Sequence, residues 1–169
     1  MSHDLGEPSA WVCRFAPLIA PSGRVLDVAC GSGRHARYFA RLGHKVIAVD
    51  RDPAPELARL PNVEMVEADL EAGAWPFSGQ FYSGIVVTNY LHRPLIPLLI
   101  AALEANGVLI YETFASGNEQ FGKPSNPHFL LEQGELLEFV RGKLKVVAYE
   151  NLIVSEPKPA AVQRICAVR

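Results

Sequence analysis

The residues with the most chemistry in this sequence are two aspartates and a pair of glycines. Asp27-Val28-Ala29-Cys30-Gly31-Ser32-Gly33-Arg34 stands where a short apolar run gives way to a longer segment with apolar residues at helical spacing. Gly31 and Gly33 allow a tight turn and let the backbone approach a ligand with no Cβ in the way. A helix opening near Gly33 aims its free N–H groups and the positive end of its dipole at the same spot. Asp50 follows nineteen positions after Gly31, at the end of the next apolar run. A carboxylate there can accept both hydroxyls of a ribose. Ala36 replaces the third glycine of a dinucleotide fingerprint, an allowed variant, so a nicotinamide dinucleotide fits the spacing. Asp27 argues for another ligand. A pyrophosphate has no use for a carboxylate in the strand below it, whereas a ligand bearing an ammonium does.

The elements that must hold these residues follow from the apolar pattern. Residues 11–19 read as a short helix, 24–29 and 45–50 as buried strands, and 33–42 as an amphipathic helix ending at Gly43. A short helix over 53–59, a strand over 63–66 and a loop over 72–81 come next. They are followed by a strand over 84–88, a helix over 94–104 with Pro97 in its first turn, and a strand over 108–114. A last helix over 132–141 precedes two closing strands, 144–153 and 161–168, which form an antiparallel edge hairpin. Strands alternating with helices predict an α/β fold with a mostly parallel seven-stranded sheet covered by helices on both faces. Ligands of such sheets bind outside the carboxyl ends of the strands.

S-adenosylmethionine carries an ammonium, a sulfonium and a ribose diol, and therefore suits Asp27, the glycine backbone and Asp50 together. The run Val25-Leu26-Asp27-Val28-Ala29-Cys30-Gly31-Ser32-Gly33-Arg34-His35 resembles motif I of the class I, Rossmann-like S-adenosylmethionine-dependent methyltransferases. Val46-Ile47-Ala48-Val49-Asp50 is similar to motif II, and Glu67-Ala68-Asp69-Leu70 to the acidic segment whose side chain meets the adenine amine. Val86-Val87-Thr88-Asn89-Tyr90-Leu91-His92 and Gly107-Val108-Leu109-Ile110-Tyr111-Glu112 match the fourth and fifth strands of that family. The resemblance covers residues 24–114 in order. It implies cofactor contacts at Asp27, Ala29, Gly31, Gly33, Arg34, Asp50, Arg51, Asp69, Leu70 and Asn89, with S-adenosylhomocysteine as the product.

Methyl transfer needs alignment first, and a base only where the acceptor has a proton to lose. His92 is the candidate base on chemistry, because its ordinary pKa lies near neutrality, and Tyr90 is the second candidate. A histidine there could equally serve the following helix, and Tyr90 could pack on the cofactor. Thr88-Asn89-Tyr90-Leu91 lacks the prolines of the Asn-Pro-Pro-Tyr motif, which weighs against transfer to a base nitrogen or a glutamine amide. Residues 114–131, rich in glycine, proline and amides, form a long segment of the kind that is commonly functional. We read it as a lid, with Asn118, Lys123 and His128 as the foremost substrate contacts; the alternative is an anchored connector. Its pattern is similar to that of tellurite-resistance-type methyltransferases.

Composition narrows the reading. The 169 residues, 49% hydrophobic and 20% charged, suit a single methyltransferase domain over 1–169, with an N-terminal helical segment over 1–22. Sixteen basic residues against eighteen acidic ones create no field suited to nucleic acid or an anionic membrane. No apolar run approaches the ~20 residues that span a bilayer. Three cysteines without a CxxC pair point away from a disulfide framework or a zinc site and toward a reducing, cytoplasmic setting, as does the lack of a signal-peptide pattern. The expected activity is methyl transfer to a small molecule. Two alternatives stay open: a non-catalytic S-adenosylmethionine-binding sensor or partner subunit, and an NAD(P)-dependent oxidoreductase.

Overall fold

A computed structural model describes residues 6–169. The first five residues of the expected N-terminal segment lie outside the described residues. Seven strands form one sheet: β1 (Arg24–Val28), β2 (Lys45–Asp50), β3 (Val63–Glu67), β4 (Tyr82–Thr88), β5 (Leu103–Phe114), β6 (Lys145–Val154) and β7 (Ala160–Val168). Their spatial order is β3-β2-β1-β4-β5-β7-β6. The first five run parallel, and β7 pairs antiparallel with both β5 and β6. The sheet is therefore the Rossmann-like one expected, with the closing hairpin at its edge and β7 inside β6.

The alternation of side chains along each strand separates two cores. Leu26, Val28, Ile47, Val49, Ile85, Val87, Leu109 and Tyr111 face one side. There they meet α3 (Ile96–Ala101) and α4 (Glu135–Val140) through Ile96, Leu99, Leu136 and Val140. Val25, Val46, Ala48, Val86, Val108 and Ile110 face the other side, against α1 (Ala10–Phe15) and α2 (Arg34–Arg41), which contribute Trp11, Val12, Phe15, Ala36 and Phe39. Burial on both faces explains why β1, β2 and β4 read as nearly unbroken apolar runs.

Several elements differ in extent from the sequence reading. The helix expected over 11–19 is α1 followed by a 3-10 turn over Ala16–Leu18, because Pro17 removes a backbone donor. The segment expected as a helix over 53–59 is a 3-10 turn over Pro55–Arg59. The helix expected to reach residue 104 stops at Ala101. The chain enters β5 at Leu103, which pairs with Tyr82, and the register then shifts before Val108 pairs with Gly84. The last helix is shorter than 132–141, opening at Glu135 after Gly134, whose φ is +78°.

Crossovers leave β1 and β4 in opposite directions, which opens a crevice above their carboxyl ends. The turns after β1, β2, β3 and β4 all meet there.

Candidate functional site

The turn after β1 is pinned by its neighbour. Gly31 donates its N–H to Asp50 Oδ2 at 2.9 Å, and Asp52 donates to Asp50 Oδ1 at 3.0 Å. Cys30 N–H continues the sheet by bonding the Val49 carbonyl at 3.0 Å. Each Asp50 oxygen thus spends one lone pair on backbone and keeps another to face outward. Ala29, Gly31 and Gly33 all have positive φ, +54°, +53° and +83°. The two glycines do different work. A Cβ on Gly33 would overlap Leu57, so this glycine admits the 3-10 turn against the start of α2. A Cβ on Gly31 would meet nothing within 4 Å, so the space before it is open.

Asp27 lies beneath this turn rather than in its mouth. It is buried and lines none of the clefts described below. Burial raises its pKa from 3.8 to about 7, although the Ala36 N–H at the head of α2 and the nearby Arg34 pull the other way. Among the described residues, its Oδ2 has no hydrogen-bond partner. His35 is buried too. Its Nε2 accepts the Ser9 N–H at 3.0 Å, and its Nδ1 lies 3.4 Å from Thr88 Oγ1. Burial lowers its pKa to about 3, so the ring is a neutral tie between the N-terminal segment and β4.

Three clefts open along this edge of the sheet. The first, about 240 Å³, is lined by Ala29, Asp50, Arg51, Ala68, Asp69, Leu70, Glu71 and Tyr90. Asp69 Oδ1 accepts N–H bonds from Glu71 and Ala72 at 2.9 and 3.2 Å, which hold this carboxyl below the usual range. The second cleft, about 250 Å³, shares Glu71 and Tyr90 with the first. Asn89, Leu91, Thr113, Phe114, Pro124 and Phe129 complete it. The third, about 600 Å³, lies between residues 6–10 and the β6–β7 turn, and includes Arg34, Asn89, Glu112, Lys158 and Arg164.

Ser9 Oγ donates to Glu112 at 2.7 Å, and Arg164 bridges Glu112 and Glu150. Arg34 donates to the Glu7 carbonyl. The N-terminal segment is thereby fixed over the sheet. Sequence reasoning missed this wall, because its partners, from Arg34 and His35 to Glu112, are set by the folded chain and carry no local pattern.

Tyr90 and His92 take other parts than expected. Burial, with Glu71, Asp69 and Asp50 close by, pushes the Tyr90 phenol up to about 12, which favours a hydrogen-bond donor over a base. Its backbone is set by the Tyr111 hydroxyl, which bonds the Tyr90 carbonyl at 2.7 Å. His92 lines none of the clefts. Its Nδ1 lies 3.5 Å from Glu71 Oε1, and Glu71 is the carboxylate that faces both the first and second clefts. Glu71 had no motif to mark it.

The segment over 114–131 is anchored rather than free. Ala115 bridges Leu131, and Asn118 is buried with its amide bonded to the Pro124 carbonyl and the Ala161 N–H. Asn118 therefore frames the loop and does not face a cleft, contrary to its expected role as a substrate contact. Lys123 and His128 are exposed and line no cleft either; Pro124 and Phe129 do. Arg93 holds the far end, donating to the carbonyls of His128 and Leu130 and pairing with Glu135.

The methyltransferase domain family matches residues 1–143, and the chain belongs to that family. The ubiquinone biosynthesis O-methyltransferase of Xanthomonas campestris pv. campestris is 39% identical over 56 residues, 33% of this chain and 23% of that protein. The chain thus aligns with less than a quarter of that relative's length. TehB from Haemophilus influenzae superposes with a TM-score of 0.79 at 20% identity, covering 96% of this chain and 62% of TehB. The 1,6-didemethyltoxoflavin-N1-methyltransferase of Burkholderia thailandensis, solved with 1,6-didemethyltoxoflavin and S-adenosylhomocysteine, superposes at 0.68 with 22% identity over 95% of this chain and 76% of that one. At these identities the two structures speak for a shared fold.

Two predictions follow from the turn after β1. Between about pH 4 and 7 the folded chain holds a proton on Asp27 that the unfolded chain has lost, so this group's contribution to stability falls as pH rises through that window. Urea unfolding of Asp27→Asn should remove that slope and narrow the difference from wild type at low pH; the span is up to about 4 kcal/mol. Gly31→Val should fold, apart from about 1–2 kcal/mol of left-handed strain, yet lose nucleoside binding by calorimetry. Gly33→Ala should chiefly lose stability, because its Cβ overlaps Leu57.

Proposed function

We propose that this chain is an S-adenosylmethionine-dependent methyltransferase acting on a small-molecule acceptor in the cytoplasm, with residues 1–169 forming a single methyltransferase domain. The observation that carries this reading is Asp50, fixed by the Gly31 N–H at the end of β2 and opening into a cleft that also holds Asp69. The residues fit the cofactor. Asp50 accepts the ribose diol, Asp69 the adenine amine, and Ala29, Arg51 and Leu70 form the walls around the nucleoside. Gly31 leaves room for the methionyl arm, and Arg34, Gly33 and Asn89 border it. The unpartnered oxygen of buried Asp27 is the acceptor that an ammonium above the turn would draw on, directly or through a water. Carboxylates at Asp50, Asp69 and Glu71 outnumber Arg51 around the first cleft and favour a cationic ligand over a dinucleotide pyrophosphate.

Bound there, the cofactor would supply an electrophilic methyl group, with a neutral thioether as the leaving group. The chain's own part is alignment. Tyr90 and Glu71 border the passage from the first cleft to the second, and a neutral Tyr90 can donate a hydrogen bond to the acceptor. Glu71, backed by His92, is the group positioned to take the acceptor's proton, which gives His92 a positioning role behind the carboxylate. The structural relative that binds 1,6-didemethyltoxoflavin, a small molecule, agrees with an acceptor of that scale.

Calorimetry with S-adenosylmethionine, S-adenosylhomocysteine and NAD tests the reading. Both methionine derivatives should bind, and Asp50→Ala should weaken them by roughly a hundredfold, in keeping with about 1.5–3 kcal/mol for hydrogen bonds to a charged acceptor. Binding of NAD alone would overturn it.

A further inference from the structure

The second cleft differs from its neighbours in chemistry. Phe114, Phe129, Pro124 and Leu91 line it, and its polar groups are few; the carboxylate among them, Glu71, stands on the wall shared with the first cleft. Its position is also distinctive. Glu71 and Tyr90 belong to both clefts; the larger third cleft shares no lining residue with the first and adjoins the second at Asn89 and Phe114. A reacting atom must come within roughly 3–3.5 Å of the transferred group, so the space one side chain away from the nucleoside is where an acceptor has to sit. Its size limits the occupant. An apolar cavity of roughly 150 Å³ takes one benzene ring, and about 250 Å³ therefore suits one ring with substituents or two fused rings.

We infer that the second cleft is the acceptor subsite and that it takes an uncharged aromatic or heteroaromatic compound of one or two rings, its O–H or N–H pointed at Glu71. The inference rests on reading the first cleft as the cofactor site. Phe114 and Phe129 offer faces and edges to a planar ring, an arrangement that adds to simple burial. Glu71, with Asp69 and Asp50 beyond it, repels an anion and accepts a hydrogen bond from a protic group. The slot exists because the segment over 114–131 is fastened down. Asn118 ties it to Pro124 and Ala161, and Arg93 grips the carbonyls on either side of Phe129, so Pro124 and Phe129 stand as walls.

The test uses the whole chain saturated with S-adenosylhomocysteine, which blocks the first cleft, and 2-naphthol as probe with 2-naphthoate as its anionic counterpart, read by ligand-observed NMR. The expected result is saturable 2-naphthol binding, at least about tenfold weaker binding of 2-naphthoate, and about a tenfold loss of 2-naphthol affinity in Phe129→Ala. Phe129 is half exposed, so its removal leaves the fold and the S-adenosylhomocysteine affinity in place. Absence of 2-naphthol binding, equal binding of 2-naphthoate, or unchanged affinity in Phe129→Ala would overturn the subsite. Failure to bind S-adenosylhomocysteine at all would instead overturn the cofactor reading beneath it.

Discussion

The contact between the Gly31 N–H and the Asp50 carboxylate joins the ends of two neighbouring parallel strands, and the site depends on it. A parallel sheet leaves the turns at its carboxyl edge free to diverge. Here the 2.9 Å bond, together with Cys30 bonding Val49 and Ala54 bonding the Gly31 carbonyl, keeps the first turn folded against the second. The positive φ at Ala29 is the backbone cost of that fold, which Gly31 and Gly33 avoid, and the buried Asp27 below it is the electrostatic cost. Both costs are of the kind that structures carry at ligand sites.

Two further closures shape what surrounds that turn. On one side His35, Ser9, Glu112 and Arg164 fix the N-terminal segment across the sheet, with Arg164 also stacked over Trp11 at 5.0 Å and Trp11 bonded to the Ile165 carbonyl. On the other, Arg93 and Asn118 fasten the segment after β5. The three clefts are the spaces left between these fastened parts. A pairing such as Arg93 with Glu135, only partly exposed and made by two guanidinium nitrogens, does more for geometry than the exposed pair Arg141–Glu138, whose net contribution is within about 1 kcal/mol.

Much of this was legible in the amino-acid pattern. β1, β2 and β4 are buried on both faces, so their apolar runs announced them, and the glycines with Asp50 marked the turn that joins the ends of β1 and β2. The end of α3 was not, since its residues before β5 are apolar in either state and pairing with Tyr82 decides the matter. Asn118 looked like a substrate contact because an amide in a loop is chemically versatile; its partners, Pro124 and Ala161, are set by the folded chain alone. Glu71 stayed hidden for the opposite reason. An exposed glutamate has no pattern, and its meaning comes from lying between two clefts beside Tyr90 and His92. Exposed loop residues such as Lys123 and His128 carry no periodic signal, and the nearby Phe129 reads as core until its exposure is seen.

In the proposed reading the nucleoside lies over β1 and β2 and the reacting end of the ligand points toward β4. A crystal structure with S-adenosylhomocysteine should then show the ribose diol on the outward lone pairs of Asp50, the adenine amine at Asp69, and the sulfur beside Tyr90 at the entrance to the Phe114–Phe129 slot. Density for the ligand in the chamber between residues 6–10 and the β6–β7 turn, with the Asp50 cleft empty, would contradict it.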